Sequence, residues 1–288
     1  MTTQLKKTAG VMGWPISHSL SPRLHGYWIS KYGLQADYVA RAVKPEDLER
    51  VLRKLPDECR EKGEEFRGTN LTIPLKEVAL DIVDELEESA VRIGAVNTVI
   101  VGDKGQLIGR NTDGIGLTDS LKDLIDTSPL NGGTGLILGA GGAARAVAVA
   151  LSDLGLDYIY ICNRTQERAD ALAEKIGSKA RVIPWQDRHQ SLATTDILIN
   201  TTSLGMTGQP PLDISLDDLN KTAIVTDIVY VPLETELLRH ARLRGNITVD
   251  GLGMLLHQAK AGFEAWFGVK PDVDQELRDY VLEGIRKQ

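Results

Sequence analysis

Short apolar runs alternate with longer amphipathic stretches along the chain, the pattern of β-strands separated by α-helices. Residues 8–12, 37–43 and 66–73 read as strands. Ser21-Pro22 reads as an N-cap followed by proline at the first helical position, opening a helix to about Tyr32. Pro45 opens a second helix to Leu55, and the charged stretch 57–65 reads as its extended end or a loop. Helical patterns follow Pro74 through Ile93, and residues 97–101 and 106–109 read as a hairpin turning at Asp103-Lys104-Gly105. This half predicts an α/β domain with a mostly parallel sheet. A helix near Thr112 then leads into a second series of strands, at 134–138, 157–162, 181–183, 197–200, 224–227 and 247–249. The helical stretches 251–267 and 273–286 come after that series is complete, so they are expected to return to the first domain. The expected division is 1–111 plus 252–288 for one domain and 112–251 for the other. The substrate cleft is expected between them, a usual place for a small-molecule site.

The transition after 136–138 carries the sharpest chemical signal. It reads Gly139-Ala140-Gly141-Gly142-Ala143-Ala144, then a helical pattern, then a second apolar strand. This is the G-x-G-x-x-A fingerprint of a dinucleotide site in its strand–turn–helix–strand setting. Gly139 permits the tight turn, Gly141 lets the backbone approach a pyrophosphate, and Ala144 keeps the helix close to the sheet. Free N–H groups at the helix start favour the anion. The end of the second strand selects the cofactor. An NAD site usually carries Asp or Glu there to hold the ribose 2′-OH. Here the place reads Asn163-Arg164-Thr165 with Arg168 following, and two guanidiniums can pair with a 2′-phosphate. The fold class is therefore an α/β substrate domain plus a Rossmann domain, and the cofactor is NADP.

Composition narrows the picture further. A chain of 288 residues with 42% hydrophobic and 25% charged residues has the profile of a globular protein large enough for two cores. The net charge of −7 argues against nonspecific binding to nucleic acid or anionic membrane. Cys59 and Cys162 have no ligand or disulfide spacing, and no metal is expected. The start lacks an apolar signal core, and no stretch is apolar enough to span a membrane, so a cytoplasmic enzyme is expected.

A second set of polar residues interrupts the apolar pattern. Ser19 and Ser21 lie on a loop entering a helix; Asn70, Thr72 and Lys76 fall at even spacing, which on a strand points them to one face. Asn97 offers an amide, Asn111-Thr112-Asp113 a carboxylate at the domain crossover, and Gln258 a second amide on the returning helix. Each has a plainer reading: Ser21 as a cap, Asn97 and Asn111 as turn residues, Lys76 as a surface lysine, Asp113 as a helix-start carboxylate. His18 and His25 read as packing or hydrogen-bonding residues rather than proton carriers.

Taken in order, GWPISHSLSPRLH, GTNLTIPLKE, IGAVNT, GRNTDG, LGAGGAARA, NRTQER, INTTSLGM, DIVYVPLETELL and GLGMLLHQA resemble the shikimate dehydrogenase family. The resemblance spans roughly residues 13–263. It departs at Gly26, where many members have Asn. It implies NADPH-dependent reduction of 3-dehydroshikimate to shikimate on the route to aromatic amino acids. It further implies Ser19 and Ser21 on the substrate carboxylate, Thr72, Asn97 and Gln258 on ring hydroxyls, and Lys76 with Asp113 as the catalytic pair. Gly139, Ala140, Gly141, Gly142, Ala143, Asn163, Arg164, Thr165 and Arg168 would hold NADP; Tyr230 and Gly253 would line the cleft near nicotinamide and substrate. A quinate/shikimate dehydrogenase paralogue is the nearest alternative, and a catalytically silent sensor on the same fold is another. The expected partner is the small-molecule substrate alone, in a monomer or homodimer.

Overall fold

A computed structural model of the chain describes residues 5–286. These divide into two compact units, one ending at Thr112 and resuming at Gln258, the other running from Asp113 to His257.

In the first unit the strands are β1 (Lys6–Gly13), β2 (Ala36–Ala42), β3 (Glu64–Phe66), β4 (Gly68–Leu71), β5 (Glu85–Leu86), β6 (Thr98–Val101) and β7 (Leu107–Arg110). They form one sheet in the order β2-β1-β4-β6-β7-β5, with β3 also paired to β1. β1 runs parallel to β2, β3 and β4, whereas the 98–110 hairpin brings β6 antiparallel to both β4 and β7. The helices are α1 (Ser21–Lys31), α2 (Leu48–Glu61), α3 (Leu75–Val78) and α4 (Glu88–Ile93). One sheet face packs on α2 through Met12, Leu48, Leu52, Leu55, Cys59 and Phe66.

Three local expectations need correction. Leu20, not Ser21, is the N-cap of α1; Ser21 is its first residue, and the Ser19 hydroxyl accepts the Ser21 N–H at 3.3 Å. The strand expected at 66–73 is two, broken at Arg67, whose N–H turns to the Thr8 carbonyl. The stretch expected to be helical up to Ile93 contains the short strand β5, paired with β7.

The second unit begins with α5 (Asp113–Leu124) and continues through β8 (Thr134–Leu138), α6 (Gly142–Asp153), β9 (Tyr158–Asn163), α7 (Gln166–Ile176) and β10 (Ala180–Pro184). β11 (Ile197–Asn200), β12 (Ile224–Asp227), α8 (Glu236–Arg244) and β13 (Ile247–Val249) complete it. All strand pairs are parallel, in the order β10-β9-β8-β11-β12-β13. That is the doubly wound 3-2-1-4-5-6 order of a dinucleotide fold. Alternation along the strands feeds both faces: Ile137, Ile161 and Ile199 enter one core, and Leu136, Leu138, Cys162 and Leu198 the other.

The helix α9 (Gly251–Phe267) starts in the second unit and ends in the first. Its first turns stay with α5: a Cβ on Gly253 would lie 2.1 Å from Ser120 Oγ, and His257 Nε2 lies 3.1 Å from Asp123. The boundary at His257 is thus later than the residue 251 expected from sequence. The remainder of α9 and α10 (Gln275–Arg286) belong to the first unit. There the indole N–H of Trp266 donates to Val99 O, and that of Trp28 to Asp272 O.

His25 lies inside this aromatic packing, stacked on Tyr38 with ring centroids 3.9 Å apart and flanked by Trp28, Phe263 and Trp266. Burial lowers its pKa from 6.5 to about 3. Its neutral form therefore stabilises the fold fully above pH 6.5, and that contribution is lost as pH falls towards 3, because the unfolded chain takes the proton first. The slope is about 1.4 kcal/mol per pH unit. Between pH 7 and about pH 5, denaturant titrations should show wild type losing about 2 kcal/mol more than His25→Phe. Parallel losses would mean His25 is charged in the fold.

Candidate active site

In the second unit a candidate nucleotide cradle lies at the carboxyl ends of β8 and β9. Gly139 leaves β8 with φ +114, a conformation that disfavours any side chain, and its N–H donates to Cys162 O at 2.8 Å. A Cβ there would lie 2.5 Å from Thr201 Oγ1, in the loop after β11. β8 and β11 are the neighbours at which the strand order reverses, the place where such sheets bind ligands. Gly141 caps α6 and is exposed; Gly142 and Ala143 form its first turn, half-buried, and Ala144 is buried. The helix start thus offers N–H groups with almost no side-chain cover, which fits a pyrophosphate.

At the end of β9 the Asn163 amide donates to Thr165 O at 2.7 Å and pins the turn. Thr165 is the N-cap of α7, and Arg164 and Arg168 are both exposed beside it. Two guanidiniums flanking a pinned turn fit a 2′-phosphate, since each offers a planar fork of donors.

The first unit carries a buried hydrogen-bonded chain. Tyr38 Oη donates to Asn70 Oδ1 at 2.6 Å, and Asn70 Nδ2 donates to Asn97 O and Thr98 Oγ1. Thr98 Oγ1 donates to Asn97 Oδ1 at 2.9 Å, which also accepts Thr112 N–H at 2.9 Å. Asn97 Nδ2 donates to Thr112 Oγ1 at 3.0 Å and to Gln258 Oε1 at 3.5 Å. Two backbone groups set the polarity of the whole chain. The Asn97 carbonyl can only accept and the Thr112 N–H can only donate, so the orientations of both asparagine amides are fixed. Ser21 is also buried, and burial pushes the Tyr38 phenol well above its usual pKa.

Lys76 comes from α3, not from the strand. Alternation stops at Leu71; Leu75 N–H closes a turn on Thr72 O, and Lys76 follows in the first helical turn, half-buried. Its carbonyl accepts Val96 N–H at 2.8 Å, which ties it to the segment leading into Asn97. Thr72 is half-buried, and its N–H donates to Met12 O at the end of β1. Asp113, buried, directly follows Thr112 as the first residue of α5, where a carboxylate is favoured by the helix dipole. Asn111 is a local pin, its amide donating to Ala95 O at 2.9 Å. His18 is exposed.

The structure therefore gathers Asn97 and Gln258 into one network, together with Tyr38, Thr98 and Thr112, which carried no assigned role from sequence. In the second unit Tyr230 is half-buried, with its phenol raised above its usual pKa by burial. Gly253 is accounted for by the close approach of Ser120.

A Rossmann unit with a bare phosphate cradle, joined in one chain to a unit carrying a lysine beside a buried amide–hydroxyl network, defines an NAD(P)-linked dehydrogenase of small polar molecules. Three family profiles match in chain order: "Shikimate dehydrogenase substrate binding domain" over 11–99, "Shikimate / quinate 5-dehydrogenase" over 124–207 and "Shikimate 5'-dehydrogenase C-terminal domain" over 251–275. The chain belongs to the shikimate dehydrogenase family. It is 50% identical over 276 residues to a shikimate dehydrogenase (NADP(+)) of Paramagnetospirillum magneticum, covering 96% of this chain and 98% of that one. A crystal structure of shikimate 5-dehydrogenase from Thermus thermophilus in complex with NADP(H) and shikimate is similar at TM-score 0.83 and 37% identity, over 97% of this chain and 98% of that one. Quinate dehydrogenase from Corynebacterium glutamicum in complex with NAD is similar at TM-score 0.85 and 31% identity, over 96% and 99%.

Proposed function

We propose that this chain catalyses the reversible NADPH-dependent reduction of 3-dehydroshikimate to shikimate, in aromatic amino acid biosynthesis. The observation that carries the reading is the joint presence of the Arg164/Arg168 turn and the buried Asn97–Gln258 network in one chain of this family. When bound, NADPH supplies the hydride. Gly139, Ala140, Gly141, Gly142 and Ala143 hold its pyrophosphate, and Asn163, Arg164, Thr165 and Arg168 hold its 2′-phosphate. Ser19 and Ser21 hold the substrate carboxylate; Thr72, Asn97 and Gln258 hold ring hydroxyls. Lys76 stabilises the oxygen on which negative charge develops and gives it a proton, and Asp113 orients Lys76 and favours its charged form. Tyr230 and Gly253 flank nicotinamide and substrate. The reading carries a cytoplasmic location and a monomer or homodimer. NAD-linked quinate oxidation is the second reading, favoured by the likeness to quinate dehydrogenase but opposed by Arg164 and Arg168.

Incubation of the purified chain with 3-dehydroshikimate and NADPH should consume both in equal amounts and yield shikimate. Absence of shikimate would refute the reading. Within it, Ser19→Ala is expected to raise KM for shikimate while leaving kcat nearly unchanged, because a serine hydroxyl donates to the carboxylate in ground and transition states alike. Turnover of an analogue lacking the carboxylate should be insensitive to that change; equal losses on both compounds would place the carboxylate elsewhere.

A further inference from the structure

The ends of β11 and β12 carry a second buried polar cluster that the roles above do not use. Asn200 and Asp227 are register partners on adjacent strands, and both are fully buried. The Asn200 amide is fixed by backbone groups: its Oδ1 accepts Thr202 N–H at 3.0 Å, and its Nδ2 donates to Leu204 O at 3.1 Å. Nδ2 therefore also faces Asp227 Oδ1, at 3.0 Å, and that oxygen must accept. The same Oδ1 accepts Val229 N–H at 3.0 Å, and Oδ2 accepts the Thr235 hydroxyl at 2.8 Å.

The segment 228–231 is held along its length. Ile228 N–H donates to Asn200 O, Val229 N–H to Asp227, and Val231 O accepts Thr207 N–H. From the other side Gly251 is pressed on it: a Cβ there would lie 2.4 Å from Ile228 O and 2.8 Å from Val229 O. Tyr230 lies inside this clamped stretch, between Val229 and Val231.

The phosphate cradle and the arginine turn occupy β8 and β9, the adenosine half of the fold. β11 and β12 belong to the other mononucleotide half, which is left for nicotinamide. We propose that Asp227 is a positioning residue for the reaction: its carboxylate fixes the segment 228–230, and so Tyr230, at the nicotinamide end. This rests on the reading of Tyr230 given above. The network exerts its effect on geometry and contributes no proton to the reaction.

The test compares wild type, Asp227→Ala, Asp227→Asn and Gly251→Ala. It measures kcat with saturating NADP and shikimate, and the Kd of adenosine 2′,5′-bisphosphate, which carries the 2′-phosphate but no nicotinamide. Asp227→Ala should lower kcat about tenfold or more, since small misplacements at a reacting centre are costly. Its Kd for the bisphosphate should stay within about twofold of wild type, as the adenosine half is untouched. Asp227→Asn keeps an oxygen for the Val229 N–H and should restore kcat to within about threefold of wild type. Gly251→Ala pushes the same segment from the opposite side without removing a buried hydrogen bond. It should repeat the kcat loss with bisphosphate binding intact, and it carries the test should Asp227→Ala fail to fold. A kcat within about twofold of wild type in folded Gly251→Ala or Asp227→Ala would overturn the proposal, as would an equal loss of bisphosphate binding, the mark of a merely structural role. A wild-type chain that does not turn shikimate over would overturn the functional reading itself, and the proposal with it.

Discussion

Lys76→Met should lower kcat by about 10²–10⁴-fold, the range that general acid–base catalysis supplies. Methionine keeps much of the lysine stem, so packing in the first turn of α3 is retained while the ammonium is removed. If Lys76 protonates the developing alkoxide, its interaction is stronger in the transition state than in the ground state. Its loss then appears in kcat and leaves KM for shikimate comparatively unchanged. NADP binding should survive, since the phosphate cradle belongs to the second unit and Lys76 to the first. Steady-state kinetics with a direct titration of NADP separates these terms. A Lys76→Met enzyme with near wild-type kcat would reduce Lys76 to a binding or surface residue.

The second large effect is expected at the cofactor turn. A charge-assisted hydrogen bond is worth about 1.5–3 kcal/mol, so Arg164→Ala should raise KM for NADP by about 10–150-fold. Turnover with NAD, which lacks the 2′-phosphate, should hardly change. The loss should shrink as salt is raised, because Arg164 is exposed and its interaction is screened. Equal losses with both cofactors would mean that Arg164 supports the turn after Asn163 instead of the phosphate.

The nucleotide unit was legible because its chemistry is local. Gly139, Gly141 and Ala144 lie within one turn, and Arg164 follows the next strand by sequence alone. Asn200 and Asp227 each close an apolar run, but neither drew a reading from sequence. Nothing local says that they face each other, because the pairing of β11 with β12 is set by sheet order. The substrate unit was harder for the same reason. Asn97 meets Thr112 and Gln258 only after a hairpin and the return of α9. Tyr38 falls in the strand expected at 37–43 and drew no reading of its own; its hydroxyl partner, Asn70, comes from a strand on the far side of β1. Even spacing placed Asn70, Thr72 and Lys76 on one face as on a strand, but β4 ends at Leu71, and a turn and a helix preserve the spacing while changing direction. The late boundary at His257 arises from packing of Gly253 against Ser120, a contact between helices far apart in sequence.

The central claim is that one chain combines a 2′-phosphate-selective cofactor turn with a shikimate-binding network. The direct measurement is kcat/KM of the purified protein for shikimate and for quinate, each with NADP and with NAD. The account predicts that shikimate with NADP exceeds the other three combinations, and that replacing NADP by NAD costs about 10-fold or more. A protein that oxidises quinate with NAD in preference to shikimate with NADP would contradict it.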